Sequence, residues 1–224
     1  MKIFAICAVL LIETGSTSAM ATSFDCSKAK SSTEKAICNV ASLSDLDTYL
    51  DRYYVVALEA LKDGASCLKQ DQRRWVKSVR NACGKDVACL TNAHLARLAV
   101  LDGLQPGASA LKNVELPKGP VLVAAIPAEV ETIASVSKKP FELSGHLLHE
   151  IQDPNAMGLA VKPDKGRVRA FVYEISYGNS ANHQVISDLI ESGTKDRFLV
   201  RGLLSEQGGF SDGDCRFVYR LADL

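Results

Sequence analysis

Six cysteines, four histidines and one tryptophan are the residues of this chain whose chemistry is most telling. Cys26, Cys38, Cys67, Cys83, Cys89 and Cys215 lie beyond the first twenty residues, and a seventh, Cys7, lies within them. A cysteine can be a nucleophile, a metal ligand or half of a disulfide. No CxxC occurs, and His94, His146, His149 and His183 make no zinc-finger spacing with the cysteines. No metal site and no cofactor are expected. The sequence holds no HExxH, P-loop or dinucleotide-binding turn. His146 and His149 are three apart, which in a strand puts them on opposite faces. "DGDC" at 212–215 begins like a calcium loop, but the later ligands are missing, so a hairpin turn is expected. Glu150 and Asp153 form only the kind of acid pair common in loops. No enzymatic activity is expected from these residues.

The N-terminus decides how the cysteines read. "MKIFAICAVLLIETGSTSAMA" has a positive start at Lys2, an apolar run from Ile3 to Ile12, and a small-x-small pattern at Ala19-Met20-Ala21. The run is too short to span a bilayer. It reads as a signal peptide cleaved after Ala21, hence export to the periplasm or beyond. Cys7 falls within the apolar run and would leave with it. The six remaining cysteines then read as three disulfides in an oxidising compartment. Six allow fifteen connectivities. Cys83 with Cys89 across a tight turn and Cys26 with Cys38 is one arrangement, leaving Cys67 for Cys215. Antiparallel helix packing can instead join Cys38 to Cys83.

Charge excludes some partners. Lys+Arg and Asp+Glu number 26 each, and removal of residues 1–21 deletes only Lys2 and Glu13. A neutral chain gives no argument for nucleic acid. No later segment is long and apolar enough for a membrane span.

The elements that must position these residues fall into two groups. Residues 22–104 read as helices. Ser31-x-x-Glu34 has capping-box spacing and starts a short helix running to about Cys38. Ser42-x-x-Asp45 marks the next start. There Leu43, Leu46, Leu50, Tyr53, Tyr54, Ala57, Leu58 and Leu61 recur at helical spacing up to Gly64. Trp75, Val76, Val79 and Cys83 mark a third helix. Leu90, Leu98 and Leu101 mark a fourth, ending near Gly103 and Pro106. A small antiparallel bundle results. Residues 105–140 hold five of the seven prolines and read as a linker, in which "VLVAAI" at 121–126 can form a docked strand. Residues 141–224 offer five strands: "FELSGHLLHE", "MGLAVKP", "VRAFVYEIS", "RFLVRGLLSE" and "CRFVYRLA". A helix, "HQVISDLIESG", separates the third from the fourth. The class is α+β, with the order of a five-stranded OB-type barrel in the second half.

The helical half resembles a known family, the N-terminal domain of lysozyme-inhibitor LprI-like exported bacterial proteins. The resemblance rests on Cys26, "EKAIC" at 34–38, "LSDLD" at 43–47, Leu50, Tyr54, "QRRW" at 72–75, "RNAC" at 80–83, "CL" at 89–90 and "RL" at 97–98. It covers residues 24–102. His94 departs from it, where an aromatic Tyr is expected, and Cys67 is additional. The resemblance implies a secreted protein that inhibits lysozyme by protein–protein contact. Residues 22–105 carry twelve Lys/Arg and ten Asp/Glu, which does not favour steering toward a basic lysozyme.

Two sets of candidate binding residues follow. In the helices, Trp75 is expected in the core. Asp47 lies beside the apolar stripe, with Arg80 and Arg97 as candidate ion partners. Together with Tyr54 these form either a structural cluster or a polar anchor for a partner. "KQDQRR" at 69–74 reads as a solvated face. In the strands, Arg167, Arg169, Phe171, Tyr173 and Tyr177 can supply a glycan-binding face, the alternative to a protein partner.

Overall fold

The computed structural model describes residues 22–104, 114–127, 139–149, 157–164, 170–174, 188, 195–204 and 215–221. Four helices form one layer. The first, α1 (Ser32–Asn39), begins at a complete capping box. Ser31 Oγ accepts from the Glu34 N–H at 3.1 Å, and Glu34 Oε2 accepts from the Ser31 N–H at 2.9 Å. The second, α2 (Ala41–Leu61), differs from expectation at its start. Its N-cap is Val40, with no side-chain cap, rather than Ser42. Val40 packs with Phe24 against the buried Ile37, Leu43 and Leu90, so apolar contact fixes the chain's entry where a cap would otherwise act.

Helix α2 buries Leu43, Leu46, Leu50, Tyr53, Ala57 and Leu61 at three- and four-residue spacing, as the sequence predicts. After a 3₁₀ turn comes α3 (Ala65–Trp75), which continues through a π-turn (Val76–Arg80) and a 3₁₀ turn (Asn81–Cys83). Asp86 caps α4 (Val87–Asp102), its carboxylate accepting from the Cys89 N–H at 3.0 Å.

Six strands form one antiparallel sheet: β1 (Val121–Pro127), β2 (Lys139–His149), β3 (Met157–Pro163), β4 (Ala170–Glu174), β5 (Arg197–Leu204) and β6 (Cys215–Leu221). Their spatial order is β1-β6-β5-β2-β3-β4. The chain is thus α+β, and all five predicted strands form. The expected OB-type closure is corrected. The "VLVAAI" segment pairs with the last strand, Ala125 opposite Phe217, and becomes an edge. The sheet is therefore open, with β1 and β4 at its two edges among the described residues. The helix expected at 183–193 lies, but for Asp188, outside the described residues.

Helices and sheet share one core. Leu46, Leu50, Tyr53, Ala57 and Leu61 of α2 meet Leu68, Leu98 and Leu101, and this cluster continues into Leu122, Ala125, Leu199, Phe217 and Tyr219 of the sheet. Strand β1 makes the closest approach. A Cβ built on Gly64 would lie 2.0 Å from the Ala125 carbonyl oxygen, and one on Gly103 would lie 1.9 Å from Val121 Cγ1. Only glycine lets the strand sit that near the helix ends. Strands β5 and β6 are buried on both faces along this stretch, since Phe198 and Val200 flank Leu199, and Val218 lies between Phe217 and Tyr219.

Candidate functional site

The three disulfides are Cys26–Cys38, Cys67–Cys215 and Cys83–Cys89. The first arrangement drawn from the sequence forms, and the Cys38–Cys83 alternative does not. Cys26–Cys38 closes the N-terminal turn onto α1. Cys83–Cys89 spans the turn around Gly84. Cys67–Cys215 joins α3 to β6. Three formed bridges are consistent with an oxidising, extracytoplasmic setting. Among the described residues, no helix is long and apolar enough to cross a membrane.

The helical candidates assemble into a buried polar ladder. Asp47, from the middle of α2, is 2 % exposed, and His94 of α4 is fully buried. His94 Nε2 lies 3.4 Å from Asp47 Oδ1, while Nδ1 lies 2.8 Å from the Leu90 carbonyl oxygen. Both ring nitrogens thus face acceptors, and both contacts are hydrogen bonds only with a proton on each nitrogen. Asp47 Oδ2 accepts from the Ser23 N–H and hydroxyl, each at 2.7 Å. Burial alone would raise the Asp47 carboxyl. The bonds from His94 and Ser23 outweigh it and hold the carboxyl below its ordinary range.

The pairing of Asp47 with Arg80 or Arg97 expected from sequence is therefore corrected. His94 sits opposite Asp47, and the arginines go elsewhere. Trp75 is half-buried and meets His94 edge-on, ring centroids 5.6 Å apart. The Arg97 guanidinium lies 5.9 Å from the Trp75 ring. Arg97 Nη1 donates to Asp71 at 2.7 Å and Nε donates to Gln72 at 2.9 Å. Its Nη2 is buried without a partner among the described residues. Tyr54 is half-buried beside Arg97 and Arg73, its phenol raised chiefly by burial.

The ladder reaches the sheet. Burial first, and the Asp71 charge second, raise the Tyr219 phenol. The Arg201 guanidinium lies 5.2 Å from the Tyr219 ring and pairs with Glu142 at 3.0 Å. A chain of contacts and charge interactions thus runs from Ser23 through α2, α4 and α3 to β6, β5 and β2. Asp47 and His94 form an acid–base pair whose side chains are shut off from solvent. Its chemistry is to fix helix register: a buried carboxylate with three donors cannot slip by a turn without losing them.

Arg80 stands apart, partly exposed on the π-turn, its Nε donating to Asn81 Oδ1 at 3.2 Å. Sequence reasoning missed Ser23, Asp71, Gln72 and His94 as members of the ladder. The one available signal was His94, placed where an aromatic is expected on the apolar stripe of α4. Of the proposed glycan face, Arg167, Arg169 and Tyr177 lie outside the described residues. Phe171 and Tyr173 pair through their backbones with Ala160 and Gly158 on β3. A groove of about 470 Å³ also lies between α4 and residues 114–118, lined by Leu95, Ala96, Leu116 and Pro117 among others.

Comparison with known protein families, with curated proteins and with solved structures finds no match.

Proposed function

We propose that this chain is a signal-peptide-bearing, exported, non-enzymatic binding protein acting by protein–protein contact, and that a lysozyme is the partner to test first. The observation that carries the reading is the bracing of the helical layer. Three disulfides and an internally paired polar ladder fix the helices while their outer faces stay free. A binding protein gains from such rigidity, because a preformed surface loses little entropy on contact. The resemblance of residues 24–102 to the LprI-like family supplies the candidate partner.

Charge on the surface narrows the contact. The exposed face of α2 carries Asp51, Val55 and Glu59 four residues apart, with Val55 46 % exposed. Asp45 is exposed on the same helix, and Arg52 is the opposing charge there. This is the side of the helical layer that suits a basic enzyme. The test is turnover of a lysozyme with increasing oxidised protein. Inhibition that is lost in the Asp51→Lys, Glu59→Lys variant supports the reading. Undiminished turnover at a large molar excess removes the lysozyme role. Retention of peptidoglycan fragments in place of the enzyme would move the site to the sheet.

A further inference from the structure

The outer face of α3 and its continuation carries cations that the fold itself does not use. Between residues 65 and 85 the sequence holds Lys69, Arg73, Arg74, Lys77, Arg80 and Lys85 against one acid, Asp71. Asp71 is committed to the buried Arg97. Five of the six cations are exposed and Arg80 is partly so. Among the described residues, none of the six forms an ion pair. Arg73 Nε donates to the Lys69 carbonyl, and Arg80 donates to Asn81. Glu34 is close enough for Arg80 to lower its carboxyl slightly, but Glu34 Oε2 already accepts the Lys30 and Ser31 N–H groups.

Spacing turns these charges into a row. Lys69 and Arg73 are one turn apart on α3, and Lys77 and Arg80 follow on the wider π-turn, so the four succeed one another along the segment within at most about 16 Å at 1.5 Å per residue. Like charges at this spacing repel each other and weaken a helix. Of the exposed acids of the layer, Asp45, Asp51 and Glu59 lie on α2, Asp25 pairs with Lys28, and the Asp86 carboxylate caps α4. A linear row of four cations, two of them arginines, fits a linear anion better than a single small one. Guanidinium groups match phosphate oxygens in paired hydrogen bonds.

We propose that the row Lys69, Arg73, Lys77 and Arg80, on α3 and the π-turn that continues it, is a docking surface for a linear, phosphate-bearing polyanion. The site is distinct from the acidic α2 face, so it stands or falls independently of lysozyme binding.

The test is titration of the purified, oxidised chain with medium-chain inorganic polyphosphate at several salt concentrations. Four neutralised phosphates predict a slope of log affinity against log salt of magnitude about 3, at roughly 0.7 per contact for a flexible strand. Replacing the row (K69Q, R73Q, K77Q, R80Q) should weaken binding by roughly a hundredfold or more at about 50 mM salt and flatten the slope. Lys69, Arg73 and Lys77 are exposed and Arg80 partly so, and retained helix content and disulfides check the fold. Replacing Lys118 and Lys195, exposed lysines outside the row, should leave binding unchanged. Absence of polyphosphate binding at low salt, or binding that the row variant retains, overturns the proposal. Equal binding of polyglutamate of matched length overturns the assignment to phosphate.

Discussion

The N-terminal and central parts of the helical layer are held by different kinds of constraint. Around α1 and the α4 start, the restraints are local: a capping box, a 12-residue bridge and a 6-residue bridge. Where the helices meet the sheet, the restraints are distant in sequence: Cys67–Cys215 across 148 residues, and β1 against Gly64 and Gly103. Local restraints shape one turn each. Distant ones decide whether the two halves of the chain make one core.

The largest way to break that contrast is to remove the bridges one pair at a time. Loop-closure entropy alone assigns Cys67–Cys215 about 5 kcal/mol, Cys26–Cys38 about 3 and Cys83–Cys89 about 2, following their separations of 148, 12 and 6. Paired Cys→Ala variants unfolded in denaturant should lose stability in that order. Loss of the 67–215 pair should also separate the unfolding of sheet and helices, read as two transitions instead of one. Equal losses from all three pairs would mean that the junction is held by packing and not by the bridge.

Next in size is the Asp47–His94 pair, which belongs to neither end. Removing one member of a buried pair leaves the other uncompensated and costs about 3–5 kcal/mol. Asp47→Ala strands the Ser23 donors and the His94 ring together, so its loss should fall in that range. The pH dependence has a definite sign. The folded Asp47 carboxyl lies below its ordinary value of 3.8, so its contribution is present above that value and is lost as pH falls through the lower folded one. Acid unfolding of the wild type should therefore be steeper below about pH 4 than that of Asp47→Asn. Parallel acid limbs in the two proteins would show that the carboxylate is not the group that matters.

These same features divide what the sequence discloses from what it hides. The capping box, the α2 stripe, five strands and two of the three bridges depend on residues close together, and periodicity or spacing exposes them. Even Cys67–Cys215 could be reached only as the remainder after the local pairs. The ladder was hidden because its partners are distant: Asp47 and His94 are 47 residues apart, and Arg97 and Gln72 are 25 apart. Nothing in the spacing of Asp47 distinguishes His94 from Arg80 or Arg97, all of which recur on helices that can face α2. The open sheet was hidden for a related reason. Strand order fits a barrel equally well until β1 takes the edge of β6, and that pairing spans about ninety residues of sequence.

The smallest expected effects come from two glycines, and they separate junction from turn by mechanism instead of magnitude. Gly64 has an ordinary helical backbone, and its added Cβ would meet the Ala125 carbonyl oxygen. Gly84 has a φ of +57° and open space around it, so its cost is backbone strain alone. Gly64→Ala should cost about 1–3 kcal/mol through overpacking, near the upper end because the obstacle is main chain. Gly84→Ala should cost about 1–3 kcal/mol through strain. Size tells them apart. At position 64 the loss should grow from Ala to Val as β1 is pushed off the helix ends, with weaker hydrogen-exchange protection in β1 and β6. At position 84 Ala should cost more than Asn, which tolerates positive φ, and the sheet should be untouched. A Gly64 series that is flat in size would mean that β1 can retreat freely, and the distant restraint at the junction would then rest on Cys67–Cys215 alone.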